Sequence, residues 1–250
     1  MRAKTLEKDP SCLCKNRLMP AVLPEGLIRL GRSDIPAAAD LLAEAFQQDE
    51  FNRHLIPVAS ERYKAFRIIY RVMLGIMLAT GEMYATSDAM EGVAVLTLAG
   101  KKGDRREPDG TSGPQRFFRL SSGILNALAM PFRIARFRHA GKLLKRSKEV
   151  RWSYSRLQDS YKRYEQDKPY VSLDLIAVRP GLHGRGYMGR LMRPVLDEAC
   201  RRNRSVILNT ETPGNLPIYE HYGFQTDESI EVFRDELVYR VMSWHPKGSI

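Results

Sequence analysis

Cysteine is nearly absent from this chain. Cys12, Cys14 and Cys200 are the three present in 250 residues, too few and too scattered for a disulfide framework. The Cys12-x-Cys14 pair has no second ligand pair to complete a zinc site, so no metal is expected. No apolar stretch approaches the ~20 residues needed to span a bilayer; the longest candidate, 72–79, lies between Arg71 and Glu82. The N-terminus carries early charges and no continuous apolar segment of the signal-peptide kind. These absences together point to a reduced, cytoplasmic setting. Acidic residues are also in short supply, 29 against 40 Lys and Arg, and the sequence has no internal repeat. Apolar content of 43% nonetheless gives ample material for a core in a chain of this length.

The basic excess is concentrated in one place. Residues 101–167 carry 17 Lys/Arg against 7 Asp/Glu, ten of the chain's net +11. The segment opens with a polar, turn-rich stretch to Pro114. Helical patterns follow, with Phe117, Leu120, Ile124, Leu125 and Leu128 before Pro131, then 132–150 and 152–164. Three readings stay open for it. It is a helical cover over a substrate cleft with a solvated basic face, a surface attracted to nucleic acid or an acidic protein, or a basic amphipathic surface for anionic membrane. No nucleic-acid-binding motif accompanies the charge, which limits that reading to non-specific, salt-sensitive contact.

Elsewhere the pattern alternates between strand and helix. Residues 1–26 read as an extended lead-in, and 27–245 as a single domain that includes the basic helical insertion at 101–167. Residues 27–30 read as a first strand. Asp34 is placed to cap a helix running to Gln47, with Ala38, Leu41, Leu42 and Ala45 on one face. A second helix after Ser60 directs Phe66, Ile69, Met73, Ile76 and Met77 inward. Residues 82–86 and 91–98 read as a hairpin, with Asp88 and Gly92 in the turn region.

The strongest signal lies in 171–224. An apolar strand, 171–178, runs into the basic turn His183-Gly184-Arg185-Gly186-Tyr187-Met188-Gly189. A helix follows at once, with Leu191, Met192, Val195, Leu196 and Ala199 on its apolar side and Cys200 expected beside them as a core thiol. Strand, glycine-punctuated turn and helix make an anion cradle: glycines let the backbone approach a ligand, and the free N–H groups of the helix start point at it. Pro194 is a misfit, since it lacks a donor and is expected to kink this helix. Residues 205–209 then form a short strand, followed by Glu211, Thr212, Asn215 and the run Ile218-Tyr219-Glu220-His221-Tyr222-Gly223-Phe224. Gly223 is placed as a left-handed glycine ending a short helix, and Phe224 as the first core residue beyond it.

This order resembles the acetyl-CoA-binding core of the GNAT superfamily of N-acyltransferases. The family turn reads Arg/Gln-x-x-Gly-x-Gly/Ala; here His183 takes the first place, Gly186 the fourth and Met188 the last, so two of three depart from it. The stretch from Asn215 to Phe224 is similar to the downstream family signature, Asn-x-x-x-Tyr-x-x-x-Gly-Phe. The two motifs cover about a fifth of the chain. The resemblance implies an α/β fold with a central mixed, mostly antiparallel sheet flanked by helices, and a helical insertion between the third and fourth strands.

It also implies an N-acetyltransferase that moves an acetyl group from acetyl-CoA to the amine of a small molecule or peptide, by direct attack on the thioester. The backbone of Ile176, Ala177 and Val178 would bond the pantetheine, and a strand N–H near Ile176 or Ala177 would meet the oxyanion. The N–H groups from His183 and Gly184 to Gly189 would hold the pyrophosphate, with Arg185 adding charge. Asn215 would bond the cofactor, or serve only as a helix-start residue. Tyr219 is the first choice for general acid to the departing thiolate; its alternative role is packing. The base is open between Glu211, Asp174 on the fourth strand, and water. His221 is expected to face out. The alternative to an enzyme is a non-catalytic basic binding module on the same fold, contacting nucleic acid, acidic protein or anionic membrane.

Overall fold

The computed structural model describes residues 24–79, 81–99, 155–157, 159–161, 163–164, 170–232 and 237–246. Cys12, Cys14, nearly all of the expected 1–26 lead-in, and the expected helices at 117–128 and 132–150 lie outside the described residues. Twelve elements carry the argument: β1 (Ile28–Leu30), α1 (Ile35–Ala45), α2 (Glu50–Leu55), α3 (Ala59–Met77), β2 (Gly81–Ala85), β3 (Gly92–Ala99), β4 (Tyr170–Val178), α4 (Tyr187–Arg201), β5 (Ser205–Thr210), α5 (Leu216–His221), β6 (Gln225–Val232) and β7 (Leu237–Trp244). The strands form one seven-stranded sheet in the order β1-β2-β3-β4-β5-β7-β6. Every neighbouring pair is antiparallel except β4 with β5. Among the described residues no helix is long and apolar enough to cross a membrane.

Strand alternation gives the sheet two apolar faces. On one, Met83, Val93, Val95, Ala177, Ile207 and Val241 pack against α1 and α3. On the other, Ala94, Leu96, Leu173, Ile176, Val178, Val206 and Leu208 pack beneath α4. The α4 residues named from the sequence, Leu191, Met192, Val195, Leu196 and Ala199, are all buried there. Each large side chain so buried contributes ~1.5–3 kcal/mol of transfer free energy.

Several expectations need correction. Cys200 is exposed; it shares the outward stripe of α4 with Arg190, Arg193 and Asp197, all exposed, because residues three and four apart fall on one helix face. Ile76 is 46% exposed, whereas Phe66 and Ile69 are buried as expected. Asp34 stands at the N-cap position of α1, but its carboxylate accepts the Gly31 N–H at 2.7 Å across the preceding 3-10 turn, not an α1 donor. Helix α4 runs unbroken through Pro194, its apolar face holding it across the one missing hydrogen bond. Helix α2 was not expected at all.

Part of the expected insertion is described, and it is helical. Leu157 joins the core on the α1–α3 face. Ser160 donates to Glu228 at 2.5 Å, Tyr164 donates to Asp227 at 2.7 Å, and Arg163 pairs with Glu228. The Tyr161 hydroxyl bonds Asn209 Oδ1 at 3.2 Å. This stretch therefore lies across β5 and β6.

One close approach fixes where α4 begins. A methyl group at Gly92 would lie 2.8 Å from Leu191 Cδ1 and 3.1 Å from the Ala177 carbonyl, so the absence of a side chain there lets the start of α4 sit down on β3 and β4. Replacing Gly92 with Ala is expected to cost ~1–3 kcal/mol as an overpacking change, read as a lowered urea midpoint at unchanged slope. An unchanged midpoint would show that Leu191 simply moves aside.

Candidate functional site

The site begins where β4 and β5 part. They pair in parallel only at Tyr170↔Ser205, Val171↔Val206 and Ser172↔Ile207. Beyond Ser172, β4 continues to bond β3 on one edge, with Ala94↔Ile176, Val93↔Ala177 and Gly92↔Val178. Its other edge, at Ile176, Ala177 and Val178, has no strand partner among the described residues. The register also slips: Val95 pairs with Leu175 and Leu96 with Leu173, leaving Asp174 as the extra residue of a β-bulge. The bulge explains why Leu173 and Ile176, three apart, pack on the same face.

The free edge of β4 leads directly into the turn. Gly181, Gly184 and Gly186 have φ of +82°, +75° and +80°, the left-handed region that glycine enters without steric cost. Gly186 forms the N-cap of α4. Arg190 N–H bonds the Gly186 carbonyl at 3.1 Å, while the N–H groups of Gly184, Gly186, Tyr187, Met188 and Gly189 meet no backbone acceptor among the described residues. His183 is exposed and its Nε2 lies 3.3 Å from the Val178 carbonyl, folded back on the strand end. Met188 is partly buried and packs on the apolar cluster beneath α4. Arg185, Arg190 and Arg193 are exposed around the turn, and the Arg190 guanidinium covers the Tyr187 ring at 5.0 Å. Donors and positive charge thus converge on one exposed anion cradle.

Helix α5 closes the other side. Gly223 has φ +90°; the Phe224 N–H bonds the Tyr219 carbonyl at 3.1 Å and the Gly223 N–H bonds the Glu220 carbonyl at 2.9 Å. This is a Schellman ending, as the sequence leads one to expect. Tyr219 is buried, with its ring edge-on to Phe224 at 6.0 Å. Its hydroxyl makes no hydrogen bond among the described residues. Burial, then the charges of Glu211 and Asp49, push its pKa well up, so it keeps its proton at neutral pH. Asn215 starts α5 but caps nothing; its side chain donates to Thr210 Oγ1 at 3.3 Å. His221 is exposed, as expected.

Both candidate bases lie on the α1–α3 face of the sheet, and their surroundings differ. Asp174 accepts hydroxyl donors from Thr97 at 2.5 Å and Ser172 at 2.6 Å. Desolvation nonetheless raises its pKa. Glu211 follows β5 and meets Asp49, the N-cap residue of α2. Its pKa is raised well above the carboxylate range by burial first and then by the nearby negative charge of Asp49. Asp49 also accepts the Thr212 hydroxyl at 3.0 Å and the Asn52 N–H at 3.3 Å.

The sequence reading missed Asp49, which arrives from 163 residues away in the chain to accept the hydroxyl of Thr212, the residue after Glu211. Its one local signal is an N-cap carboxylate before a polar turn of helix, which says nothing of a partner just past β5. The loop that carries it is held rigidly. Arg62, buried in α3, donates to the carbonyls of Gln47 at 2.6 Å, Ile56 at 2.7 Å and Pro57 at 2.8 Å. Asn52, also buried, donates to the Phe46 carbonyl at 2.9 Å and to the Tyr70 hydroxyl at 3.1 Å.

No family model matches the chain, and no curated protein matches it. Solved structures do. A histone acetyltransferase HPA2 and related acetyltransferase from Corynebacterium glutamicum superposes with a TM-score of 0.54 at 15% identity, covering 88% of this chain and 95% of that one. A putative arylalkylamine N-acetyltransferase 7 from the yellow fever mosquito gives a TM-score of 0.52 at 16% identity, covering 88% and 86%. At this identity the likeness establishes the fold: the chain has the GNAT acetyltransferase fold.

Replacing Arg62 with Met would leave three loop carbonyls without their donor. The expected loss is about 2–4 kcal/mol in denaturant unfolding, from several charge-assisted hydrogen bonds, with Arg62→Lys recovering only part. A Met variant as stable as the parent would mean that water replaces the guanidinium.

Proposed function

We propose that this chain is a GNAT-superfamily acyltransferase that moves an acetyl group from acetyl-CoA to the amine of a small molecule. The observation that carries the reading is continuity: the unpaired edge of β4 runs without interruption into the left-handed turn and the open N–H groups of α4. An extended amide-bearing arm adds to a free strand edge as another strand would, and a diphosphate suits the helix start that follows. The departures at His183 and Met188 leave the cradle open, since neither side chain fills it.

In this reading Ile176, Ala177 and Val178 bond the pantetheine through their backbone. His183 to Gly189 and Arg185 receive the diphosphate, and Asn215 steadies the arm from α5. The thioester supplies an activated acetyl group. A β4 N–H beside the Asp174 bulge stabilises the oxyanion as the amine nitrogen attacks. Glu211 removes a proton from the incoming ammonium so that a neutral amine attacks. Its raised pKa makes it a stronger base than an exposed carboxylate. Tyr219 protonates the leaving sulfur. The same burial that raises the phenol also raises the thiol, so the two do not drift apart as far as the phenol's shift alone implies. Asp174, fixed by two hydroxyls within the bulge, serves better as a positioning group than as a base, and its role is to hold the strand geometry at the reacting carbon.

Two measurements test this. Acetyl transfer, read as free thiol released from acetyl-CoA in the presence of an amine, is expected to fall on the order of a hundredfold in Tyr219→Phe, with acetyl-CoA affinity unchanged. Equal turnover would make Tyr219 a packing residue. In the parent, kcat/KM for the amine should rise with pH along a limb lying above the usual carboxylate range, because Glu211 must lose its proton to act. Glu211→Gln should abolish that limb. A limb that persists in the variant would assign the base elsewhere.

A further inference from the structure

The described part of 155–164 turns one stripe inward. Leu157, Ser160, Tyr161 and Tyr164 stand three and four residues apart, the spacing of a single helix face. Leu157 is buried in the core on the α1–α3 face. Ser160, also buried, donates to Glu228 at 2.5 Å, and Tyr164 donates to Asp227 at 2.7 Å. Arg163 pairs with Glu228 from beside the stripe. Asp227 is the extra residue of a bulge in β6, a device that re-aims a side chain. The stretch is therefore anchored on both sides of Tyr161.

Between those anchors Tyr161 crosses the fork of β4 and β5. Pairing of the two strands ends at Ser172↔Ile207. The Tyr161 ring lies 6.3 Å from the ring of Tyr170, two residues before that last pair on β4. Its hydroxyl donates to Asn209 Oδ1 at 3.2 Å, two residues beyond the pair on β5. One side chain thus reaches from below the fork to above it, on the face that Asn209 shares with Ile207. On the β4 side the Ser172 and Thr97 hydroxyls are both engaged by Asp174, at 2.6 and 2.5 Å. The ring is what stands across the gap.

We infer that Tyr161 is the stop that limits the donor to short acyl groups, its ring closing the fork of β4 and β5 against a longer chain. This deepens the acyl-transfer reading and rests on it for the placement of the donor. In that placement the diphosphate sits beyond Val178, and the arm runs back along Val178, Ala177 and Ile176. The acyl group then points past the Asp174 bulge toward Ser172 and the fork. An acetyl group ends short of the ring, whereas a longer alkyl chain needs the space that the ring fills.

The ring is held at both ends. Tyr164 and Tyr170 pack on it with centroids 6.4 and 6.3 Å away, and its hydroxyl is tied to Asn209. Swinging it aside would break that bond and both aromatic contacts, so a longer chain meets a wall and not a flap. Removing the ring would leave a space bordered by Leu157, Tyr164 and Tyr170, apolar enough for an alkyl chain. Tyr161 meets the end of the acyl group and none of the reacting atoms. It is a specificity-determining residue, and its contribution comes from the insertion, outside the two motifs that mark the cofactor site.

Calorimetric titration of the whole chain with acetyl-CoA and hexanoyl-CoA tests the inference without an amine. A shaped pocket discriminates by roughly tenfold or more against a chain that outgrows it. The parent is therefore expected to bind hexanoyl-CoA at least about tenfold more weakly than acetyl-CoA. Tyr161→Ala should recover about tenfold in hexanoyl-CoA affinity and leave acetyl-CoA affinity nearly unchanged, while Tyr161→Phe, which keeps the ring, should keep the parent's preference. The ratio is the readout, because a merely structural loss would weaken both donors together. A parent that binds the two alike, or a Tyr161→Ala variant with the parent's preference, would overturn the inference and leave the acyl-transfer reading standing. Binding of neither donor would contradict that reading itself, and the inference with it. The comparison in the parent stands even if the Ala variant fails to fold.

Discussion

Two parallel strands that stop pairing after three residues create everything that follows in this molecule. A sheet interior ordinarily satisfies every backbone group on both edges of a strand. Strand β4 satisfies one edge, through β3, and from Leu173 onward leaves the other open toward β5. The divergence is stable because each strand has its own support. Strand β5 is held by β7, and β4 is clamped from below by α4 and from above by α1. Gly92 lets α4 approach closely enough to do this.

The chemistry then divides between the two faces and the two ends of that opening. Positive character gathers at the C-terminal end of β4, where three left-handed glycines and the start of α4 present N–H donors without backbone acceptors among the described residues. Carboxylates lie elsewhere in the fold, Asp49 bonded to Thr212 just past β5 beside Glu211 and Asp174 in the bulge of β4. An anionic cofactor and a cationic acceptor would enter opposite regions of the same cleft, and each charge would favour its own end. The described part of 101–167 spans the negative side, with Tyr161 bonded to Asn209 on β5 and close to Asp174 on β4. That placement agrees with a cover beside the acceptor region.

How much of this was legible in the sequence depends on whether the signal is local. The turn glycines, the Schellman ending at Gly223 and the apolar face of α4 are short-range patterns, and each stands where the sequence puts it. The parting of β4 from β5 is a pairing property that no run of residues encodes, and the Asp174 bulge shows only in the register against β3. Asp49 drew no attention because its sequence neighbourhood reads simply as a helix start, while its contact with Thr212 joins distant parts of the chain. Cys200 and Ile76 failed for a different reason. Both sit beside truly buried positions, at helix angles where one residue separates core from solvent.

The central claim is that the free edge of β4 and the turn after it form one continuous site for an acyl-CoA arm. Backbone hydrogen exchange with and without acetyl-CoA reads that edge residue by residue. The account predicts slowed exchange at Ile176, Ala177 and Val178 together with Gly184 to Gly189, while the surface of α3 is unchanged. Protection confined to the turn, or absent from both segments at saturating acetyl-CoA, would contradict it.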